Sequence, residues 1–198
     1  PQASATAEII YTIISKLDMG NIINKDIAEC LYVGIMTDTG SFKYSSTTFI
    51  THEIIAKLIS CGANNAKIHN LIFENSSSNR IKLLGYCLNN KLLIYPENKS
   101  AIISLTEEEL NSFNFKRGDT EGIVNYALSI KDIIFAVFIV EREGVVKLSL
   151  RSTGNFKVND IAKKYFNGGG HINAAGGISQ VSVNETIKKM EDIIEKYK

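Results

Sequence analysis

From Ile9 onward apolar residues fall at helical spacing: Ile9, Ile10, Ile13, Ile14 and Leu17 mark a first helix that Gly20 is placed to stop. A second helix is predicted from Asp26 to Thr37, with Ile27, Leu31 and Ile35 on its buried stripe. Thr47 or Thr48 is placed to cap a third, which carries Ile50, Ile54, Ile55, Leu58 and Ile59 and ends near Gly62. A fourth spans Ala66 to Phe73 and runs into Glu74-Asn75-Ser76-Ser77-Ser78-Asn79, a polar stretch with the composition of a linker.

Beyond that stretch the pattern changes. Leu92 to Tyr95 and Ala101 to Leu105 read as a hairpin-like pair of short strands, and Thr106-Glu107-Glu108-Glu109 has capping-box spacing at the start of a helix. Glu121 to Ser129 reads as a helix, followed by strands Ile133 to Val140 and Val145 to Leu150 joined at Glu143-Gly144. Two stripes, Ile161, Ala162, Tyr165, Phe166 and Ile187, Met190, Ile193, Ile194, predict the closing helices. The expected organisation is a helical part over residues 1–74, a linker over 75–80 and an α+β domain over 81–198, without internal repeats.

Length and composition (198 residues, 44% hydrophobic, 22% charged) allow one large or two modest domains with ample core. The net charge of +1 lacks the basic excess of a protein that coats long nucleic acid, so an anionic ligand is expected to be small and held locally. No apolar run approaches the roughly 20 residues that cross a bilayer, and the beginning lacks the regions of a signal peptide. A cytoplasmic protein without membrane contact is expected. The chain starts at Pro1 without an initiator methionine, which reads as an internal fragment. Cys30, Cys61 and Cys87 fit no zinc spacing and are expected to be buried free thiols.

Gly168-Gly169-Gly170-His171 is the first candidate for chemistry. Consecutive glycines are entropically costly to order and are kept where a ligand approaches the main chain or φ must be positive. Their N–H groups can form a concave nest for a phosphate oxygen, to which His171 adds a donor. Ala174-Ala175-Gly176-Gly177 is also small, as expected for backbone close to something flat or crowded. The competing reading is a flexible surface loop. Upstream, Ser149-Leu150-Arg151-Ser152 ends a predicted strand, where the Arg151 fork suits bidentate phosphate contact and Ser152 adds a hydroxyl. An exposed arginine paired with a surface carboxylate is the alternative.

The second candidate is Met36-Thr37-Asp38-Thr39-Gly40-Ser41-Phe42, where Asp38 falls at a helix C-terminus. The partial negative charge there disfavours a carboxylate unless a cation compensates it, and carboxylates suit Mg²⁺ and Mn²⁺. Local chemistry by itself favours a turn aspartate bonding its own backbone before Gly40.

Taken together, the two corners resemble the DHH phosphoesterase superfamily with its associated C-terminal domain, in the branch of bacterial oligoribonucleases (nanoRNases) that also dephosphorylate pAp. Ala5-Thr6-Ala7-Glu8-Ile9-Ile10-Tyr11, Gly34 to Phe42, Gly118-Asp119-Thr120-Glu121-Gly122-Ile123-Val124-Asn125, and Gly168 to His171 with Ala174-Ala175-Gly176 carry the resemblance, in the family's order. It implies an α/β fold overall: an N-terminal α/β domain holding two Mn²⁺ ions (Mg²⁺ as the alternative), a linker, and an α+β mixed-sheet domain that grips substrate. This chain would hold the helical C-terminal part of the first domain and all of the second. Asp38 then matches an acidic metal motif and a catalytic position; Arg151, Gly168, Gly169, Gly170 and His171 match the substrate site. Asp119 and Asn125 match a segment lining the cleft, and Lys43 falls where relatives often have arginine. The family's Asp-x-Asp pair, a further aspartate and the Asp-His-His are absent and would precede Pro1. His52 and His69 lie in amphipathic helical segments and read as surface or core residues.

The implied partners are short RNA oligonucleotides, pAp or dinucleotides, with a homodimer left open. Hydrolysis would use a metal-activated hydroxide in the whole enzyme, and the chain alone would bind nucleotide weakly without cleaving it. The alternatives are a cyclic or linear dinucleotide phosphodiesterase, a non-catalytic module of the kind alanyl-tRNA synthetases use for tRNA, and a regulatory nucleotide-binding remnant.

Overall fold

In a computed structural model that describes residues 3–17 and 22–197, the chain divides into two compact units, Pro1–Asn75 and Ser76–Lys198. The first holds helices α1 (Thr6–Lys16), α2 (Lys25–Asp38), α3 (Phe49–Ser60) and α4 (Asn65–Phe73). Asn24 caps α2 by accepting from the Ile27 N–H at 3.0 Å. Thr48 rather than Thr47 caps α3, in a reciprocal box with Thr51. The predicted stop at Gly20 lies outside the described residues.

Helix α1 forms where its spacing predicts, but of the stripe only Ile14 meets the core, together with Ala5, Ala7 and Tyr11, while Ile13 is 52% and Leu17 64% exposed. The close fit of α1 on α2 explains the choice. A Cβ on Gly34 would stand 3.0 Å from the Ala7 methyl, so the helices meet through small residues and the large ones are turned away. On α3, Ile54, Ile55 and Leu58 are buried, but Ile50 and Ile59 are exposed.

The second unit opens with a helix where a linker was expected to continue. Ser77 accepts from the Arg80 N–H at 3.1 Å and starts α5 (Ser78–Asn90), which buries Leu83 and Cys87. The last serines of the polar stretch are thus a cap and a first turn. Then come β1 (Leu92–Tyr95), a short 3₁₀ turn, β2 (Ser100–Leu105), α6 (Glu107–Ser112), α7 (Ile123–Leu128), β3 (Phe135–Arg142), β4 (Val145–Ser152), α8 (Val158–Tyr165), β5 (Gly169–His171), β6 (Ala174–Ser179) and α9 (Val183–Lys196). The expected capping box is present: Thr106 accepts from the Glu109 N–H at 3.2 Å, and Glu109 accepts from the Thr106 N–H at 2.9 Å.

The strands form one mixed sheet in the order β1-β2-β3-β4-β6-β5, parallel only between β2 and β3. Strand alternation divides its side chains between two faces. One face, with Ile102, Val137, Ile139, Val146, Leu148 and Leu150, is buried under α8 and α9. On the other, Ala101, Ile103, Leu105, Ala136, Phe138 and Val140 lie under α5, α6 and α7. That second covering thins out at β4, which α7 still reaches and where Ser149 and Arg151 are half-buried, and the face opens towards β6 and β5.

The cysteines differ in setting: Cys87 is buried, Cys61 partly so, and Cys30 exposed, against the expectation that all three are buried. Burial pushes the Cys87 thiol up to about 12.

Candidate functional site

The open half-face is built by strand register. Arg151 of β4 pairs with Ala174 of β6, which pairs with His171 of β5, so the three occupy one row and face the same side. The next row along is Ser149, Gly176 and Gly169. Beyond it Lys147 stands beside Ile178. His171, Gly169, Gly176, Lys147 and Ile178 are exposed, and Arg151, Ser149 and Ala174 partly so. The charged side chains that these strands send to this face are basic, and one Arg151 N–H donates to the Leu150 carbonyl at 3.1 Å. The arrangement is a trough carrying the cations Arg151 and Lys147, with a floor that is bare at Gly169 and Gly176.

The glycine run therefore differs from the expected open nest. Gly169 to His171 is a strand, and the Gly168 N–H already donates to the Ala162 carbonyl at 3.0 Å. The glycines fall into two groups. A Cβ on Gly168 would lie 2.0 Å from the Gly176 carbonyl oxygen, one on Gly170 2.5 Å from that of Ala174, and one on Gly177 2.6 Å from the Phe166 Cβ. Gly168 and Gly170 are needed because the hairpin closes on itself, and Gly177 because the end of α8 packs against it. Gly169 is different: a Cβ there would meet nothing within 4 Å, and at Gly176 only the Leu148 carbonyl at 3.4 Å. Neither has a positive φ. The hairpin does not require these two, and both face the trough.

Ser152 is placed against the expectation. It is one residue out of phase with Arg151, so it points to the other face and is buried. Its hydroxyl donates to the Phe156 carbonyl at 2.6 Å and accepts from Asn173 Nδ2 at 2.9 Å, fastening the turn after β4 to the β5–β6 hairpin. Ser149 is the serine that shares the trough with Arg151. Period-two alternation along the predicted strand was the signal for it.

Asp119 accepts from the Lys116 N–H at 2.8 Å, and Asn125 is exposed on α7. The loop between them is held to the sheet by Arg142, whose guanidinium lies 4.6 Å from the Phe115 ring centre and donates to the Thr120 hydroxyl.

In the first unit, α2 ends on an exposed Asp38 and then wraps tightly around Thr39. The buried Thr39 hydroxyl donates to the Ile35 carbonyl at 2.7 Å and accepts from the Phe42 N–H at 3.1 Å; its carbonyl accepts from Lys43 and Tyr44. Gly40, Ser41 and Phe42 follow with φ of +57°, +60° and +69°. Lys43 is exposed. His52 is exposed, with its ring 5.7 Å from that of Phe42, and His69 packs among Tyr32 and Phe73. Among the described residues no three His, Cys, Asp or Glu side chains gather where they could hold a metal. Asp38 by itself is not a metal centre. No helix of the described residues is long and apolar enough to cross a membrane.

The chain resembles several known proteins. It is 31% identical over 192 residues to the bifunctional oligoribonuclease and PAP phosphatase NrnA of Bacillus subtilis, covering 96% of this chain and 59% of that one. It is 31% identical to the cyclic-di-AMP phosphodiesterase GdpP of Bacillus subtilis, covering all of this chain and 29% of that one. The crystal structure of an exopolyphosphatase-related protein from Bacteroides fragilis matches all of the chain at 41% identity with a TM-score of 0.95, over 58% of its own length. The chain thus spans about three fifths of the length of the NrnA relatives it matches. The model of the DHHA1 domain matches residues 98–196, which contain every strand of the open half-face. The chain belongs to the DHHA1 domain family.

Proposed function

We propose that the chain is the substrate-gripping portion of a phosphoesterase acting on short oligoribonucleotides, on pAp, or on both. The observation that carries this is the row Arg151-Ala174-His171 beside the bare floor of Gly169 and Gly176. Arg151 offers a planar fork for a phosphate and His171 a second donor, with only a methyl between them. The side-chain-free row lets a sugar or base lie close to the sheet. A trough of three strands and a chain of net charge +1 suit a ligand of a few nucleotides rather than long nucleic acid. The likeness to NrnA supports the same substrate class.

In this reading the open face binds and orients the phosphate, which contributes through positioning. Asp38 supplies one carboxylate to a divalent cation, Mn²⁺ or Mg²⁺, whose remaining ligands come from elsewhere in the whole protein. The likeness to GdpP favours a second reading, a dinucleotide phosphodiesterase. The test is hydrolysis of a linear diribonucleotide, pAp and a cyclic dinucleotide by the whole protein with Mn²⁺. Turnover of the linear substrate or of pAp, weakened by Arg151→Ala, is expected. Turnover of the cyclic dinucleotide alone would move the assignment to the second reading, and no turnover of any of the three would end both.

A further inference from the structure

We propose that the trough contains a second nucleotide subsite, formed by Lys147 and Ile178, that takes the phosphate two positions on, and its base, of a single-stranded oligoribonucleotide lying along β4. This rests on the preceding reading of the Arg151 row. Residues Arg151, Ser149 and Lys147 alternate on one face of β4, and each carries a hydrogen-bond donor. Alternate residues of a strand are about 7 Å apart, so Arg151 and Lys147 are separated by about 13 Å. That spacing accommodates an extended single strand whose successive phosphates follow the ladder, as backbones follow basic grooves in other single-strand binders.

Two further observations point to the same occupant. Lys147 is exposed although it stands in the middle of β4, and it has no ion-pair partner among the described residues. Its neighbour in the row, Ile178, is 38% exposed, an apolar side chain at the end of an otherwise bare β6 surface of Ala174 and Gly176. Cation and apolar platform side by side match the two parts of a nucleotide, its phosphate and the face of its base. The inference therefore makes Lys147 a length-selecting residue: it contributes nothing to a ligand that ends at the Arg151 row and adds affinity to a longer one.

The experiment is equilibrium binding of fluorescent 5′-phosphorylated di- and pentaribonucleotides to the whole protein, without divalent metal so that nothing is cleaved. The wild type is expected to bind the pentamer about tenfold more tightly than the dimer, with Lys147→Ala abolishing the difference and Lys147→Arg keeping it. The slope of log affinity against log salt for the pentamer should fall by about 0.7, the share of one single-strand phosphate. Arg151→Ala is expected to weaken both lengths alike. If the dimer binds through Arg151 but the pentamer gains nothing, or if Lys147→Ala weakens both equally, the second subsite is overturned and the first reading stands. If neither length binds the wild type, both fall.

Discussion

Arg151 and His171 come from strands that are not neighbours, yet they share one row of the sheet, with the methyl of Ala174 as the only side chain between them. Two strand spacings put their backbones about 10 Å apart, a gap that a phosphate can bridge once both side chains lean inward. If that gap is the binding site, filling it should cost affinity without costing the fold. Ala174→Leu is expected to weaken AMP or dinucleotide binding at least tenfold in titration calorimetry while leaving the melting temperature within a few degrees. Arg151→Ala should lose about 10- to 100-fold, in line with about 1.5–3 kcal/mol for a charge-assisted contact. Arg151→Lys should recover only part, because the ammonium cannot make the bidentate pair. Unchanged affinity in Ala174→Leu would place the ligand elsewhere.

Neighbouring glycines give opposite predictions. Gly168→Ala drives a methyl into the Gly176 carbonyl, and the backbone of the hairpin must separate to admit it. A loss of about 2–4 kcal/mol is expected in urea denaturation. At Gly169 the methyl enters open space, so stability should stay within about 0.5 kcal/mol, or rise slightly from the lower entropy of the unfolded chain. Nucleotide affinity should nevertheless fall in Gly169→Ala, because the floor is no longer flat. Equal destabilisation by the two substitutions would contradict the division of the glycines.

The elements that could be read in advance are those whose pattern is local. The stripe of α9, the capping box at Thr106 and the strands turning at Glu143-Gly144 all appear where periodicity put them. Strand β6 was not legible. Ala174-Ala175-Gly176-Gly177 has little strand propensity, and it is extended only because β4 and β5 pair with it on both sides. The expected glycine nest became a strand through the tight β5–β6 hairpin, whose outer side is anchored by the non-local pairing of β6 with β4. Helix α5 was missed because its serines read as linker, although Leu83, Leu84, Cys87 and Leu88 already formed a helical stripe. Within the site, Arg151, His171 and Gly169 were legible as residues, but their juxtaposition was not. It depends on β6 lying between β4 and β5, which no spacing in the sequence encodes.

The corner after α2 gives a third prediction. Thr39 ties Ile35 to Phe42 through its hydroxyl and Lys43 and Tyr44 through its carbonyl, and it is fully buried. Thr39→Val keeps the volume but leaves the Phe42 N–H without its acceptor, which should cost about 1–3 kcal/mol. Gly40→Ala combines a positive φ with a Cβ placed 2.5 Å from the Tyr44 ring, and a similar or larger loss is expected. Replacing Tyr44 with alanine as well should recover the steric part and leave the backbone part, which a double-mutant cycle in urea would separate. A cycle with zero coupling would show that the ring is not what Gly40 accommodates.

Glu109 provides a prediction in pH. Burial alone would raise its carboxyl, but the Tyr86 hydroxyl at 2.6 Å, the Thr106 N–H and the Lys91 ammonium at 2.9 Å outweigh it and hold the group below its ordinary 4.5. The same contact, the bond to Glu109 foremost, pushes the Tyr86 phenol up to about 12. A depressed folded value means that the unfolded chain takes up the proton first, so the contribution is complete above 4.5 and is lost as pH falls through the lower folded value. Glu109→Gln, whose amide oxygen can still cap the Thr106 N–H, should therefore destabilise the protein by about 1–2 kcal/mol at pH 7, from the weakened bonds to Tyr86 and Lys91. The gap between wild type and variant should narrow as the pH is lowered from 5 towards 3, because protonation removes from the wild type the charge that the variant lacks. Chemical denaturation at a series of pH values measures it directly. A gap that stays constant across that range would mean that Glu109 acts through shape and neutral hydrogen bonds, with its charge contributing nothing.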